Sequence, residues 1–261
     1  MGTVGKALDL LDIFTRLRPQ AGLSDIARLA GLNKATCHRL LTEMESRGLV
    51  EQVGPAREYR LGPAVLKLAY LREAAVPTRD AAMPVLQGLA KATGETAHLS
   101  LLVGGILRTL AFAYSAQHGV KVTMEDADTL PFHATASGAA VMAFLPDEEV
   151  QRIFAGPMPA RVNAVGATPD EVRTRIAAVQ ARGWAETVST FEQDVQGLAV
   201  PLFSAASACI GAVAVAAAAP RMTQPLHARI VAELTRAGAE INALWGGEVP
   251  PALETLWRQA A

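Results

Sequence analysis

Residues 23–52, LSDIARLAGLNKATCHRLLTEMESRGLVEQ, decide the fold of the N-terminal part of the chain. Ser24 is a suitable N-cap for a short helix over Asp25–Ala30, and the glycine that follows supplies a tight turn. Asn33 then caps a second helix over Lys34–Arg47. A short helix, a glycine turn and a second helix of this length are typical of a helix-turn-helix, so the segment predicts that motif.

The second helix of the motif has two distinct faces. Apolar side chains at helical spacing form the inner face: Cys37, Leu40, Leu41 and Met44. Hydrogen-bonding side chains of suitable reach form the outer face: Lys34, Thr36, His38 and Arg39. The N-terminal part of such a helix enters the major groove of double-stranded DNA. We therefore predict that the outer face, together with Ser24, binds operator DNA. The alternative is a small helical unit whose charges are merely solvated.

Two short strands follow the motif and extend it into a wing. They are predicted over Val50–Val53 and Arg57–Leu61, around a Gly-Pro-Ala turn. Arg57 and Arg60 lie on the second strand, where they are expected to contact the DNA backbone or minor groove. With a first helix whose apolar positions run from Ala7 to Leu17, residues 1–62 form the predicted DNA-binding domain.

Composition is consistent with this interpretation and excludes several other classes. The 261 residues are 51% hydrophobic with a net charge of −1, which excludes a disordered chain and a uniformly basic coat, but not one basic face. Two distant cysteines, Cys37 and Cys209, exclude a disulfide scaffold and a four-thiolate zinc site. We expect a cytoplasmic protein.

A second domain of the α+β class is predicted after a linker. Residues 63–77 are expected to form a linker helix, 78–246 the second domain and 247–261 a short amphipathic tail. Helices alternate with antiparallel hairpins in the second domain, which favours a sensor-type α+β fold over a doubly wound one. Short strands are also predicted over Val120–Met124 and Trp184–Thr190.

One uncharged stretch, Val195–Pro220, is long enough to cross a membrane. Its alanine, proline, glycine and serine content instead favours two buried strands, Leu198–Phe203 and Ala208–Ala216. We therefore expect no membrane association.

No pattern in the chain predicts catalysis, a metal site or a cofactor. The five histidines lack metal-ligand spacing, and nucleophile-elbow, phosphate-loop and dinucleotide motifs are missing from the sequence. Two alternatives of other classes remain open: a sensor-fold enzyme, and an oligomerisation module joined to a DNA-binding domain.

Several segments resemble the IclR family of bacterial transcriptional regulators. They are GKALDLLDIF from Gly5, LSDIARLAGLNKATCHRLLTEMESRGLVEQ from Leu23, YRLGPAVLKLA from Tyr59, LPFHATASGAAVMAFLP from Leu130 and RGWAETVSTFEQDVQGLAVPLF from Arg182. The resemblance implies a winged helix-turn-helix, a linker helix and a GAF-like effector-binding domain. It also implies pseudo-palindromic operators bound by dimers or dimers of dimers, a small-molecule effector and, in many members, control of catabolic genes.

The resemblance also implies where the effector would bind. Matching residue by residue places the start of a helix, a loop and three strands around a cavity: Ala136, Ser137 and Gly138; Val122 and Leu130; Thr187, Val195, Gly197, Ala214 and Ala216. Amides at the helix start would suit a carboxylate. His98, on a neighbouring strand, is a candidate switchable donor.

Four departures from the family pattern bear on the identity of the ligand. Members that bind small keto acids tend to carry Asp, Cys and two Ser where this chain has Thr187, Gly197, Ala214 and Ala216. The replacements predict a larger and less polar cavity, which favours a small aromatic metabolite. A keto or hydroxy acid is the alternative.

Overall fold

The computed structural model describes residues 2–15, 18–75, 77–125, 127–156, 158 and 168–260. They divide into two compact units, Met1–Pro77 and Thr78–Ala261. Among the described residues, no helix has both the length and the apolar character needed to span a membrane.

Short helices around a small antiparallel sheet form the first unit. The helices are α1 (Thr3–Leu11), α2 (Leu23–Leu29), α3 (Lys34–Ser46) and α4 (Ala64–Ala75). The strands are β1 (Gln20–Ala21), β2 (Val50–Val53) and β3 (Glu58–Leu61), in the order β1-β3-β2. The bounds of β2 are those that the sequence predicts, and α4 lies within the predicted linker segment 63–77.

Local signals explain where α3 begins and which face it buries. The side chain of Asn33 accepts a hydrogen bond from the backbone N–H of Thr36 at 2.8 Å, so the predicted cap is confirmed. The predicted inner face is also confirmed, because its four residues are buried: Cys37, Leu40, Leu41 and Met44. They pack with residues of α1, α2 and the sheet: Leu10, Ile26, Val50 and Tyr59.

Two predictions for the helices of this unit were wrong, and Arg57, predicted on the second wing strand, precedes β3. Ser24 does not cap α2, because Gly22 precedes the first turn and its carbonyl already accepts from the N–H groups of Asp25 and Ile26. Ser24 instead lies exposed within that turn. The first helix ends at Leu11; the last residue of its predicted apolar series, Leu17, lies outside the described residues.

An antiparallel sheet with helices on both faces forms the second unit. Its strands are β4 (Thr96–Val103), β5 (Ile106–Ala113), β6 (Ala185–Val188), β7 (Val195–Phe203) and β8 (Cys209–Ala218), in the order β5-β4-β8-β7-β6. Its helices are α5 (Thr78–Thr93), α6 (Ala136–Met142), α7 (Asp147–Ala155), α8 (Pro169–Arg182), α9 (Gln224–Trp245) and α10 (Pro251–Ala260). The predicted α+β class is confirmed.

Alternation along the strands assigns the two faces of this sheet. Val200 on β7 faces α9, since a Cβ added to Gly238 of that helix would lie 2.6 Å from a Val200 methyl group. Gly197 lies an odd number of residues away and faces α6, where its own added Cβ would lie 3.4 Å from that of Ala136. The uncharged stretch therefore folds as β7 and β8, which are buried between the helices.

The predicted tail forms α10. Its Trp257 donates from Nε1 to the carbonyl of Gly183 at 2.7 Å within the same chain.

The strand predicted over Val120–Met124 does not form. The carbonyl of Val122 accepts from the Thr96 hydroxyl and the N–H of Met124 donates to the Tyr114 hydroxyl, so side chains take the place of a strand partner.

Candidate DNA-binding face and effector cavity

The first half of α3 exposes cationic and polar side chains. Lys34, His38 and Arg39 are exposed, and Thr36 beside them is half-buried. Among the described residues, none of these three exposed side chains has a hydrogen-bond or ion-pair partner. Their donors are therefore available to an anionic or polar partner outside the unit.

Two other arginines of this unit form ion pairs with carboxylates on neighbouring helical turns. Arg28 pairs with Asp25 at 3.1 Å, and Arg47 at the end of α3 pairs with Glu43 at 2.8 Å. The contrast with Lys34 and Arg39 shows that the start of α3 carries positive charge without a carboxylate partner among the described residues.

The wing presents its two arginines differently. Arg57 stands in the turn between β2 and β3 with a φ of 52°, and its Nε donates to the neutral amide oxygen of Gln52 at 2.7 Å. Arg60 instead forms an ion pair at 2.6 Å with Glu51 on the neighbouring strand. Arg57 thus has no carboxylate partner among the described residues, whereas Arg60 has one.

A cavity of about 50 Å³ lies between α6 and the sheet of the second unit. Ten of the eleven residues that the sequence assigned to an effector site line it: His98, Val122, Leu130, Ala136, Ser137, Thr187, Val195, Gly197, Ala214 and Ala216. Pairing between strands explains why the lining residues of the sheet lie side by side. Thr187, Gly197 and Ala216 are direct neighbours across β6, β7 and β8, and His98 on β4 is paired with Ala214.

Gly138 is the assigned residue that does not line the cavity. Its N–H donates to the side chain of Thr135 at 2.9 Å, and a Cβ at this position would overlap the backbone of Phe132. This amide is already satisfied, and the glycine serves the close approach of α6 to the preceding segment.

His98 is the buried titratable side chain of the cavity. Its Nε2 lies 3.3 Å from the hydroxyl oxygen of Ser137, whereas its Nδ1 is buried with no hydrogen-bond partner among the described residues. Desolvation lowers the pKa of His98 from 6.5 to about 4, so its imidazole is neutral at pH 7.

Threonine hydroxyls fasten two lining segments to their surroundings. Thr96 donates to the carbonyl of Val122 at 2.7 Å, which holds the loop that precedes α6. Thr190 donates to the carbonyl of Ala134 at 2.6 Å, which holds the turn between β6 and β7. Both segments contribute to the wall, so these bonds set its shape.

Sequence reasoning missed seven lining residues, which belong to irregular segments: Thr123, Met124, Ala127, Thr135, Thr190, Phe191 and Glu192. Periodicity gave no signal for them, because loops follow no fixed side-chain alternation. The strand predicted over Trp184–Thr190 stops at Val188, and Ser189 turns the chain with a φ of 50°.

The described residues contain no cluster of three or more metal-ligating side chains. Both cysteines are buried, and burial raises the pKa of each thiol, that of Cys209 to about 12. Neither thiol is therefore ionised at neutral pH, and both act as small apolar groups in the cores.

Family models match both parts of the chain. The model described as bacterial transcriptional regulator IclR C-terminal matches residues 69–243, and the IclR helix-turn-helix domain matches residues 3–54. The chain is similar to the HTH-type transcriptional regulator XynR of Escherichia coli K12, at 27% identity over 94% of this chain and 97% of that protein.

Solved structures show the same architecture. A crystal structure of an IclR transcriptional regulator from Silicibacter sp. TM1040 is 47% identical, with a TM-score of 0.87 over 97% of this chain and 99% of that one. A crystal structure of an IclR homolog from Microbacterium hydrocarbonoxydans, complexed with 4-hydroxybenzoate, is 22% identical, with a TM-score of 0.55 over 94% and 98%. This second likeness shows the fold alone.

Proposed function

The chain belongs to the IclR family of bacterial transcriptional regulators and has a helix-turn-helix domain and a C-terminal effector domain. On this basis we propose the kind of operator that it binds and the kind of ligand to which it responds. The operator is pseudo-palindromic and is bound by a dimer or a dimer of dimers. The effector is a small aromatic metabolite bound in the cavity beneath α6. Membership in a family of transcriptional regulators leaves the sensor-fold enzyme without support.

The uncompensated charge at the start of α3 carries the DNA-binding part of the proposal. Lys34 and Arg39 are exposed without carboxylate partners among the described residues, whereas Arg28 and Arg47 have them. A cation that is free in the unbound protein gives up no ion pair when it meets a phosphate or a guanine edge. Thr36 and His38 add neutral donors and acceptors, and Arg57 on the wing adds a backbone contact.

Exposed apolar side chains support the dimer. Leu66, Leu68, Tyr70 and Leu71 on α4 are all exposed, which is unusual for large apolar residues on one short helix. Covering them with a second copy would bring two helix-turn-helix motifs into one assembly. Half-sites would then lie about one helical turn apart, roughly 34–36 Å between centres.

The apolar lining of the cavity supports an aromatic effector. Ten of its seventeen described lining residues are apolar residues or glycine, and apolar atoms form most of the surface that faces the cavity. At about 50 Å³ the cavity is smaller than the roughly 150 Å³ that accommodates benzene in an engineered protein core, so it must enlarge to admit an aromatic ring. A ligand that favours an enlarged state shifts the population toward that state by its difference in affinity, which is how it would change operator binding.

In vitro selection of DNA by the full-length protein tests this function. We expect enrichment of an inverted repeat, and Arg39→Ala should lower affinity for it by about tenfold or more, as for one lost base contact. Arg47→Ala is the matched control, since that arginine caps the other end of the same helix but is paired with Glu43. The assignment of α3 is overturned if Arg39→Ala binds the selected DNA as tightly as the wild type.

A further inference from the structure

The charges around the cavity constrain the chemistry of what it binds. Among the described residues that line it, Glu192 has the one carboxylate, and its side chain is exposed at the edge. No lysine or arginine belongs to the described lining. The cavity therefore offers a negative charge at its edge and no positive charge inside.

The polar groups inside the cavity are neutral hydrogen-bonding groups. The imidazole of His98 uses Nε2 toward the hydroxyl of Ser137 at 3.3 Å, and its Nδ1 has no partner among the described residues although it is buried. Burial holds the pKa of this histidine near 4, so the ring does not become a cation at physiological pH. Thr187 adds a second hydroxyl to the wall.

We propose that the effector of this protein is an uncharged molecule whose hydroxyl or amide group hydrogen-bonds Nδ1 of His98, and that the cavity rejects carboxylates. The proposal rests on the function proposed above and specifies the ligand of that same cavity.

Physical chemistry favours the neutral ligand on two grounds. A carboxylate that enters the cavity loses its hydration and meets no cation there, which is unfavourable unless it becomes protonated. A hydroxyl or amide loses less hydration, and a neutral imidazole nitrogen satisfies it as donor or acceptor according to the tautomer. Because the hydroxyl of Ser137 also donates or accepts, either tautomer keeps the contact to Nε2.

Matched pairs of a neutral compound and its acid test the proposal on the full-length protein. The probes are 4-hydroxybenzamide and 4-hydroxybenzoate, benzamide and benzoate, and lactamide and lactate, with titration calorimetry and melting temperature as the readouts. We expect the neutral member of at least one aromatic pair to raise the melting temperature and to bind about tenfold or more tightly than its acid.

Two substitutions of His98 locate the contact. His98→Asn keeps a polar atom near the position of Nδ1, whereas His98→Gln keeps one near Nε2. We expect His98→Gln to weaken binding of the neutral probe by about tenfold, as for one lost hydrogen bond, and His98→Asn to weaken it less. Circular dichroism identifies a variant that fails to fold, and the wild-type comparison of acid with neutral probes remains decisive in that case.

Either of two results overturns the proposal: an acid that binds more tightly than its neutral partner, or no binding by any neutral probe. Binding of the selected operator by the unliganded protein is measured on the same preparation. If operator binding is intact, only the proposed ligand class fails. If the protein binds no DNA, the proposed function itself fails.

Discussion

Arg221 donates two hydrogen bonds to the carboxylate of Glu95: its Nε donates to Oε1 at 2.7 Å, and a terminal nitrogen donates to Oε2 at 2.6 Å. Arg221 follows β8 and Glu95 precedes β4, so the pair ties together the ends of two neighbouring central strands. A third bond from Arg221 reaches the carbonyl of Val120, in the loop that lines the cavity, at 3.1 Å. The side chain of Glu95 is 1% exposed, and Arg221 is the one cation that pairs with it among the described residues.

Removing Arg221 should therefore destabilise the second unit. Arg221→Ala leaves a buried carboxylate without its partner, and we expect a loss of about 3 kcal/mol in the free energy of unfolding. For a unit of this size that corresponds to a fall in melting temperature of about 6–12 °C. Arg236→Ala is the control, because its pairs with Glu233 and Glu240 lie on the surface and are worth about 1 kcal/mol or less. Equal losses of unfolding free energy in the two variants would show that the buried pair of Arg221 with Glu95 stabilises the unit no more than a surface pair does.

Salt dependence should separate the two arginines of the wing. Arg57→Gln removes an uncompensated charge, so we expect weaker binding across all DNA sequences and a salt-dependence slope that is smaller by about 1. Arg60→Gln should change the slope less, because Glu51 already offsets that charge. Fluorescence anisotropy at several salt concentrations measures both slopes. An unchanged slope for Arg57→Gln would remove Arg57 from the DNA contact.

Filling the cavity should abolish the response to effector. Ala216 lies on the cavity face of β8, and Ala216→Leu places a larger side chain in the space beside Gly197. We expect loss of the ligand-induced rise in melting temperature, at a cost of about 1–3 kcal/mol in stability from overpacking. Ala217→Leu is the matched control, since it adds the same volume on the opposite face of the same strand. If Ala216→Leu still responds to ligand, the effector binds elsewhere.

The stability of the second unit should fall on mild acidification, with His98 as a cause. The unfolded chain takes up a proton on this histidine below its ordinary pKa of 6.5, whereas the folded protein does so only near pH 4. Stability is therefore lost as pH falls through this window, by about 2 kcal/mol between pH 7 and pH 5. Urea unfolding at the two pH values measures the loss, and His98→Gln should remove that part of it. An equal loss in the variant would exclude His98 as its source.

Local signals in the sequence predicted α3, α4, β2, β3, β7 and β8 to within a few residues at each end. Asn33 acts as the cap that it was expected to be. In α8, Thr168 forms a full capping box with Glu171, and Gly183 ends the helix in the left-handed conformation. These features are determined within one turn of the helix, so neighbouring residues are sufficient to predict them.

The sequence did not predict features that depend on partners far away along the chain. The two-residue strand β1 forms only because Gln20 and Ala21 pair with Arg60 and Tyr59 of β3. In the cavity, the resemblance to a family supplied the strand residues, whereas Phe191 and its neighbours in the β6–β7 turn could not be placed. Their positions depend on tertiary bonds such as that from Thr190 to Ala134.

The strand order β5-β4-β8-β7-β6 has a consequence for how the chain matures during synthesis. Thr96 of β4 pairs with Ala216 of β8, which lies far along the chain, so the centre of the sheet joins residues of large sequence separation. These two strands can pair only after β8 has left the ribosome. The pairs within the first unit, such as Glu51 with Arg60, join close neighbours in sequence and form as soon as that segment emerges. A nascent chain therefore acquires its helix-turn-helix well before it has a cavity, and arrest of translation between the two events leaves a folded first unit without a folded effector domain.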